Sequence, residues 1–140
     1  MRWYEDKRIE DFDWKQFVNE NKEHFPLIYN ACQKSGYFLN YSYPIIVRIY
    51  KDQEFKHPTG IAIYEFKTKK PEHIHIYALE VYDQERLHGN GRQLLNSFYE
   101  TADRISLSCL PEVRIFYEKQ GFQEQGECRM MWHKGETRNV

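Results

Sequence analysis

Apolar residues recur along the chain in two patterns, continuous or alternating runs of strand length and wider helical spacings. Ile45, Ile46, Val47, Ile49 and Tyr50 follow Pro44 as a β-branched run and predict a strand. Segments 60–66 and 74–81 predict two more, and the polar stretches 51–59 and 67–71 between them read as turns, so the three form an antiparallel meander. Segment 74–81 is apolar on both faces, as in a strand covered on both sides. Residues 1–5 predict an opening strand. Segment 104–110 predicts a later one, with Ile105, Leu107 and Cys109 on one face. From Phe122 a hairpin follows, turning near Gly126, with Cys128, Met130 and Trp132 alternating against Arg129, Met131 and His133.

Helical spacing occupies the intervals. Asp13 is an N-cap candidate with Gln16 three residues on, as in a capping box, and Trp14, Phe17 and Val18 follow, with Ile9 and Phe12 beside them. A second helix begins at Pro26 and ends before Gly36, burying Leu27, Ile28, Ala31 and Cys32. Leu94, Leu95, Phe98 and Ala102 mark a third. The fourth runs from Pro111 to Gly121, with Val113, Phe116 and Tyr117 inward.

A chain of 140 residues with 41% hydrophobic and 16% aromatic side chains suffices for one domain, expected to span 1–140, with no linker or repeat. The formal net charge of −1 gives no electrostatic reason to expect nucleic acid or an anionic membrane as partner. Lys67, Lys69 and Lys70 read as a solvated turn. Cys32, Cys109 and Cys128 are odd in number and far apart, which suits a reducing compartment better than a disulfide framework. The acidic opening residues do not resemble a signal peptide, and no stretch approaches the ~18 apolar residues of a membrane span. A cytoplasmic location is therefore expected.

The candidate chemistry centres on Arg86-Leu87-His88-Gly89-Asn90-Gly91, between the strand 74–81 and the third helix. Strand, glycine turn and helix N-terminus together suit a phosphate, because unpaired backbone N–H groups and the helix dipole both favour an anion. Gly89 and Gly91 let a ligand approach the backbone, and Arg86 adds a cation able to bond phosphate oxygens in pairs. Leu94 stands where a dinucleotide fingerprint needs its third glycine, and no Gly-Lys-Ser/Thr of a nucleotide P-loop follows. The R-x-x-G-x-G pattern resembles the acetyl-CoA pyrophosphate signature of the GCN5-related N-acetyltransferase (GNAT) superfamily. Downstream, Phe116-Tyr117-Glu118-Lys119-Gln120-Gly121-Phe122 resembles that family's F-Y-E-K-x-G-F segment, in the expected order.

The resemblance implies an α/β (α+β) fold, a mixed, mostly antiparallel central sheet of six or seven strands flanked by about four helices. It implies acetyl-CoA as co-substrate, held by the turn amides of Leu87, His88, Gly89, Asn90, Gly91 and Arg92, with Arg86 beside them. Leu79, Glu80 and Val81 would pair with the pantetheine arm where their strand splays from its neighbour, and their amides would stabilise the oxyanion. Tyr117 would protonate the departing thiolate. The base that takes the amine proton would be His75, where histone-modifying members carry a glutamate, or Glu80; strict alternation puts these two on opposite faces. Leu110 and His88 depart from the family, which often has Asn and a basic residue there.

His73 and His75 share a strand face but lack an evident third ligand, so no metal is expected. The activity implied is N-acetyl transfer to a primary amine by direct attack in a ternary complex; the alternative is a non-catalytic CoA-binding regulatory or interaction module. A nucleic-acid-modifying toxin of the same fold should show a basic face, which net charge −1 disfavours. The acceptor stays open between a small molecule and a protein amine, and the assembly between monomer and homodimer.

Overall fold

The computed structural model describes residues 2–42, 44–82 and 90–135. Among these, seven strands form one sheet: β1 (Arg2–Arg8), β2 (Ile46–Asp52), β3 (Gly60–Lys69), β4 (Glu72–Val81), β5 (Arg104–Ser108), β6 (Gln123–Gly126) and β7 (Arg129–His133). Their order is β1-β2-β3-β4-β5-β7-β6, antiparallel throughout except for the parallel β4–β5 pair. Four helices, α1 (Trp14–Glu20), α2 (Pro26–Ser35), α3 (Asn90–Tyr99) and α4 (Arg114–Lys119), cover its faces.

Alternation along the strands feeds two cores. Val47, Ile49, Ile61 and Ile63 turn toward α1 and α2, meeting Trp14, Val18, Ile28 and Cys32. Tyr50, Ala62, Tyr64, Ile74 and Ile76 turn the other way, meeting Leu94, Leu95 and Phe98 of α3 and Tyr117 of α4. Arg48 lies on this second face at 7% exposure, a charge that is tolerated because Asp6 takes two of its donors (2.8 and 2.9 Å) and Ser97 a third (2.9 Å). The Tyr4 and Phe98 rings flank its guanidinium at 4.2 and 4.1 Å.

Local signals set most boundaries. The Asp13 carboxylate accepts the Gln16 N–H at 3.1 Å and starts α1, but the Gln16 side chain bonds Glu20 instead of reaching back, so only half of the capping box forms. Pro26 opens α2, and Gly36 closes it in the left-handed region at φ 64°. Several expectations need correction. Lys67 and Lys69 belong to β3 instead of a turn, and Lys67 pairs with buried Glu65 at 2.6 Å. Leu27 is 50% and Val113 40% exposed, so neither belongs to a buried stripe; both border the cleft described next. Ala102 lies beyond α3, and Cys109 beyond β5.

Candidate active site

The β4–β5 ladder runs from His73 opposite Arg104 to Ile76 opposite Leu107 and stops there. Past that point a cavity of about 610 Å³ separates the two strands. Ala78 to Val81 form one wall, and Ser108, Cys109 and Leu110 the other. Leu27 and Ile28 close the α2 side, while Val113, Phe116 and Tyr117 close the α4 side. Gly91 and Arg92 bring the N-terminus of α3 to its margin. A Cβ built on Gly91 would meet Phe116 Cζ at 3.5 Å and Val81 Cγ2 at 3.8 Å, so that backbone lies directly against the cleft.

The splay has a local cause. On β3, Tyr64 faces Ile76 and Ile63 faces Ala78, which leaves Tyr77 as an extra residue, a β-bulge. The extra residue resets the alternation of β4. Tyr77 and Ala78 both pack toward the α1–α2 core, and Leu79 toward the other. His75 and Glu80 therefore share the α1–α2 face, contrary to the alternation expected from the sequence.

The two candidate bases sit in different surroundings. Glu80 is 3% exposed, and its carboxylate accepts the N–H groups of Leu27 (3.2 Å) and Ile28 (2.8 Å) in the first turn of α2. Phe25, at the cap position, has no side chain able to do this, so a strand residue more than fifty positions away caps the helix. His75 is half-buried outside the cavity lining, with its Nδ1 2.8 Å from Ser106 Oγ and its ring 4.7 Å from that of Tyr77. Burial, and then the Lys67 ammonium, hold its pKa below the usual 6.5 against the opposing pull of Glu65.

Glu65 itself is 2% exposed and accepts from Tyr77 Oη (2.5 Å) and Lys67 Nζ (2.6 Å). Burial alone would raise its pKa; the Lys67 and Tyr77 bonds outweigh that and leave it lowered. The sequence alone singles out none of Glu65, Tyr77 and Ser106. The buried acid on β3 has a weak signal, Glu65 amid an apolar run; Ser106 has none until register sets it opposite His75.

Tyr117 is 8% exposed, lines the cavity and packs on Phe116 and Phe122. Burial, then the neighbouring Cys109 thiol, push its hydroxyl up to about 12, so it is protonated at neutral pH. Leu79, Glu80, Val81, Gly91 and Arg92 all border the cavity, and Asn90 is the first residue of α3. Arg86, Leu87, His88 and Gly89 lie outside the described residues. His73 and His75 do share a face, and both rings approach Ser106 Oγ.

No protein-family model matches the chain, and no curated protein sequence does. Solved structures do match. GCN5 of Tetrahymena superposes with a TM-score of 0.69 at 12% identity, over 99% of each chain. A Desulfovibrio desulfuricans protein assigned to the acetyltransferases of the GNAT family gives 0.61 at 14% identity, over 94% of this chain and 95% of that one. A bacterial toxin gives 0.62 at 15% identity, over 95% and 90%.

Proposed function

This chain has the fold of the GNAT acetyltransferases, and from that premise we propose that it is an acetyl-CoA-dependent N-acetyltransferase acting on a primary amine. The observation that carries the reading is the cavity opened where β4 and β5 part, with the N-terminus of α3 at one margin and Tyr117 in its wall. Its shape suits a thioester on a long amide-bearing arm. The strand backbone at Leu79 and Val81 can pair with the arm's amides, and the apolar walls exclude water from the reacting carbonyl. The phosphates would lie at the α3 N-terminus, where Gly91 leaves room at the backbone and the helix dipole favours an anion.

The amine nitrogen attacks the thioester carbonyl carbon, the carbon–sulfur bond breaks, and the acetyl group leaves as an amide. His75, which lies outside the cavity lining, takes the amine proton through a bridging water. Glu80 is less suited to that task, since its two oxygens already hold the first turn of α2 in place. Strand amides at β4 meet the oxyanion, and the protonated Tyr117 hydroxyl donates to the sulfur as it leaves. A neutral imidazole at physiological pH follows from the lowered His75 pKa.

Calorimetric titration of the full chain with acetyl-CoA, then CoA release measured over a panel of amines, tests this reading. Binding with release on at least one amine is expected. Absence of binding at millimolar acetyl-CoA overturns it, and binding without turnover on any amine would favour a non-catalytic CoA-binding module.

A further inference from the structure

Ser106 stands between two histidines. It faces His75 across the parallel β4–β5 ladder, two residues before the strand ends. Its hydroxyl oxygen is 2.8 Å from His75 Nδ1 and 3.2 Å from His73 Nε2. A serine hydroxyl carries one proton, so it can donate to only one of these nitrogens. At least one ring must then bear hydrogen on the side facing Ser106.

The surroundings break the symmetry between the rings. Glu65 on β3 favours positive charge on His75. His73 instead meets the fields of Arg104 on β5, His133 on β7, Lys67 on β3 and His75 itself, all of which disfavour a cation there. Lys67 acts against both rings, so the difference lies with Glu65, Arg104 and His133. Burial is the largest influence on both rings and disfavours charge on each. The neighbouring charges then favour His75 over His73, and His75 also makes the shorter contact with Ser106, 2.8 Å against 3.2 Å.

We propose that Ser106 is a positioning residue: it accepts from His75 Nδ1–H and donates to His73 Nε2, fixing the His75 tautomer whose Nε2 lone pair is available for the amine proton. The assignment rests on the reading of His75 as the base. On protonation His75 keeps its Nδ1–H donated to Ser106, so the hydrogen bonds need not reorganise as charge develops. Chains of such bonds also polarise one another, which stabilises the imidazolium. His73, which has no part in a metal site under this reading, becomes the end of the chain.

Long-range ¹H–¹⁵N spectra of the histidine-labelled full chain, taken well above the imidazole titration, read the tautomers directly. His75 is expected to carry its proton on Nδ1 and His73 on its own Nδ1. Ser106→Ala should shift His75 toward the Nε2–H form and Ser106→Thr should restore it. In turnover, Ser106→Ala should lower kcat about tenfold, or about 1.4 kcal/mol, with KM for acetyl-CoA unchanged. An Nε2–H His75 in the unaltered protein overturns the proposal without any variant having to fold, and so does a tautomer that Ser106→Ala leaves in place. If the tautomer shifts while kcat holds, the positioning stands and the assignment of His75 as base fails.

Discussion

In the reaction proposed above, Tyr117 and His75 divide the proton chemistry between two sides of the sheet, and each role can be tested by a single-atom or near-isosteric change. Tyr117→Phe keeps the packing on Phe116 and Phe122 and removes only the donor. Turnover should then fall roughly 10²-fold while acetyl-CoA affinity and melting temperature hold, as stopped-flow and calorimetry would report. Unchanged turnover would make the residue structural. For His75, the acidic limb of kcat/KM is expected below pH 6.5, because burial and Lys67 weaken proton binding to the imidazole. His75→Gln should remove the limb. Lys67→Met takes away a cation and leaves Glu65 unopposed, so it should move the limb to higher pH; movement to lower pH would contradict the electrostatics given for this site.

At the scale of elements, β4 and α2 depend on one another through Glu80. A carboxylate at 3% exposure that holds two helix-terminal N–H groups cannot be lost without leaving those donors unsatisfied in a poorly hydrated place. Glu80→Ala should therefore destabilise the fold by about 1–3 kcal/mol, read from urea unfolding. Glu80→Gln keeps an acceptor and should cost less, while leaving the acidic limb of the pH profile where it was. A limb that disappears in Glu80→Gln would transfer the role of base from His75. The bulge at Tyr77 is the second element-scale device. It ends regular alternation on β4 just where the strand leaves β5, and so produces the cleft and the shared face of His75 and Glu80 together.

Across the whole molecule, ligand and proton binding should both appear as stability. A cofactor specific to the folded state raises the melting temperature by mass action, and acetyl-CoA is expected to do so. Gly91→Glu should abolish the shift, because a side chain there grows toward Phe116 and Val81 and brings negative charge to the α3 N-terminus. His73 and His75 bind protons more weakly folded than unfolded. Their contribution is present in full above about pH 6.5, the unfolded value, and is lost as pH falls from there through the lowered folded values. Glu65, lowered from 4.5, contributes above that value and loses its share as pH falls through its folded pKa. Urea midpoints measured between pH 8 and pH 3 should decline in both windows, and His75→Gln should reduce the first, leaving the share of His73. Among the described residues no helix is long and apolar enough to cross a membrane.

Much of this was written locally in the chain. Pro26 and Gly36 bound α2 because a fixed φ and a left-handed cap act within one turn. The β-branched run at 46–50 forms a strand on its own preference, and the motif around Tyr117 singles that residue out without reference to any contact. Four things were decided by tertiary structure. The phase of β4 changed because a bulge depends on the partner strand, so His75 and Glu80, on opposite faces by strict alternation, share one. Leu27 and Val113, apolar at helical spacing, border a cleft whose existence requires two strands to part. Glu80 caps a helix that starts 54 residues before it, since any buried oxygen near a helix end will serve, whatever its place in the chain. Ser106 acquires its meaning only from register, which sets one hydroxyl between two imidazoles that the sequence separates from it by about thirty residues.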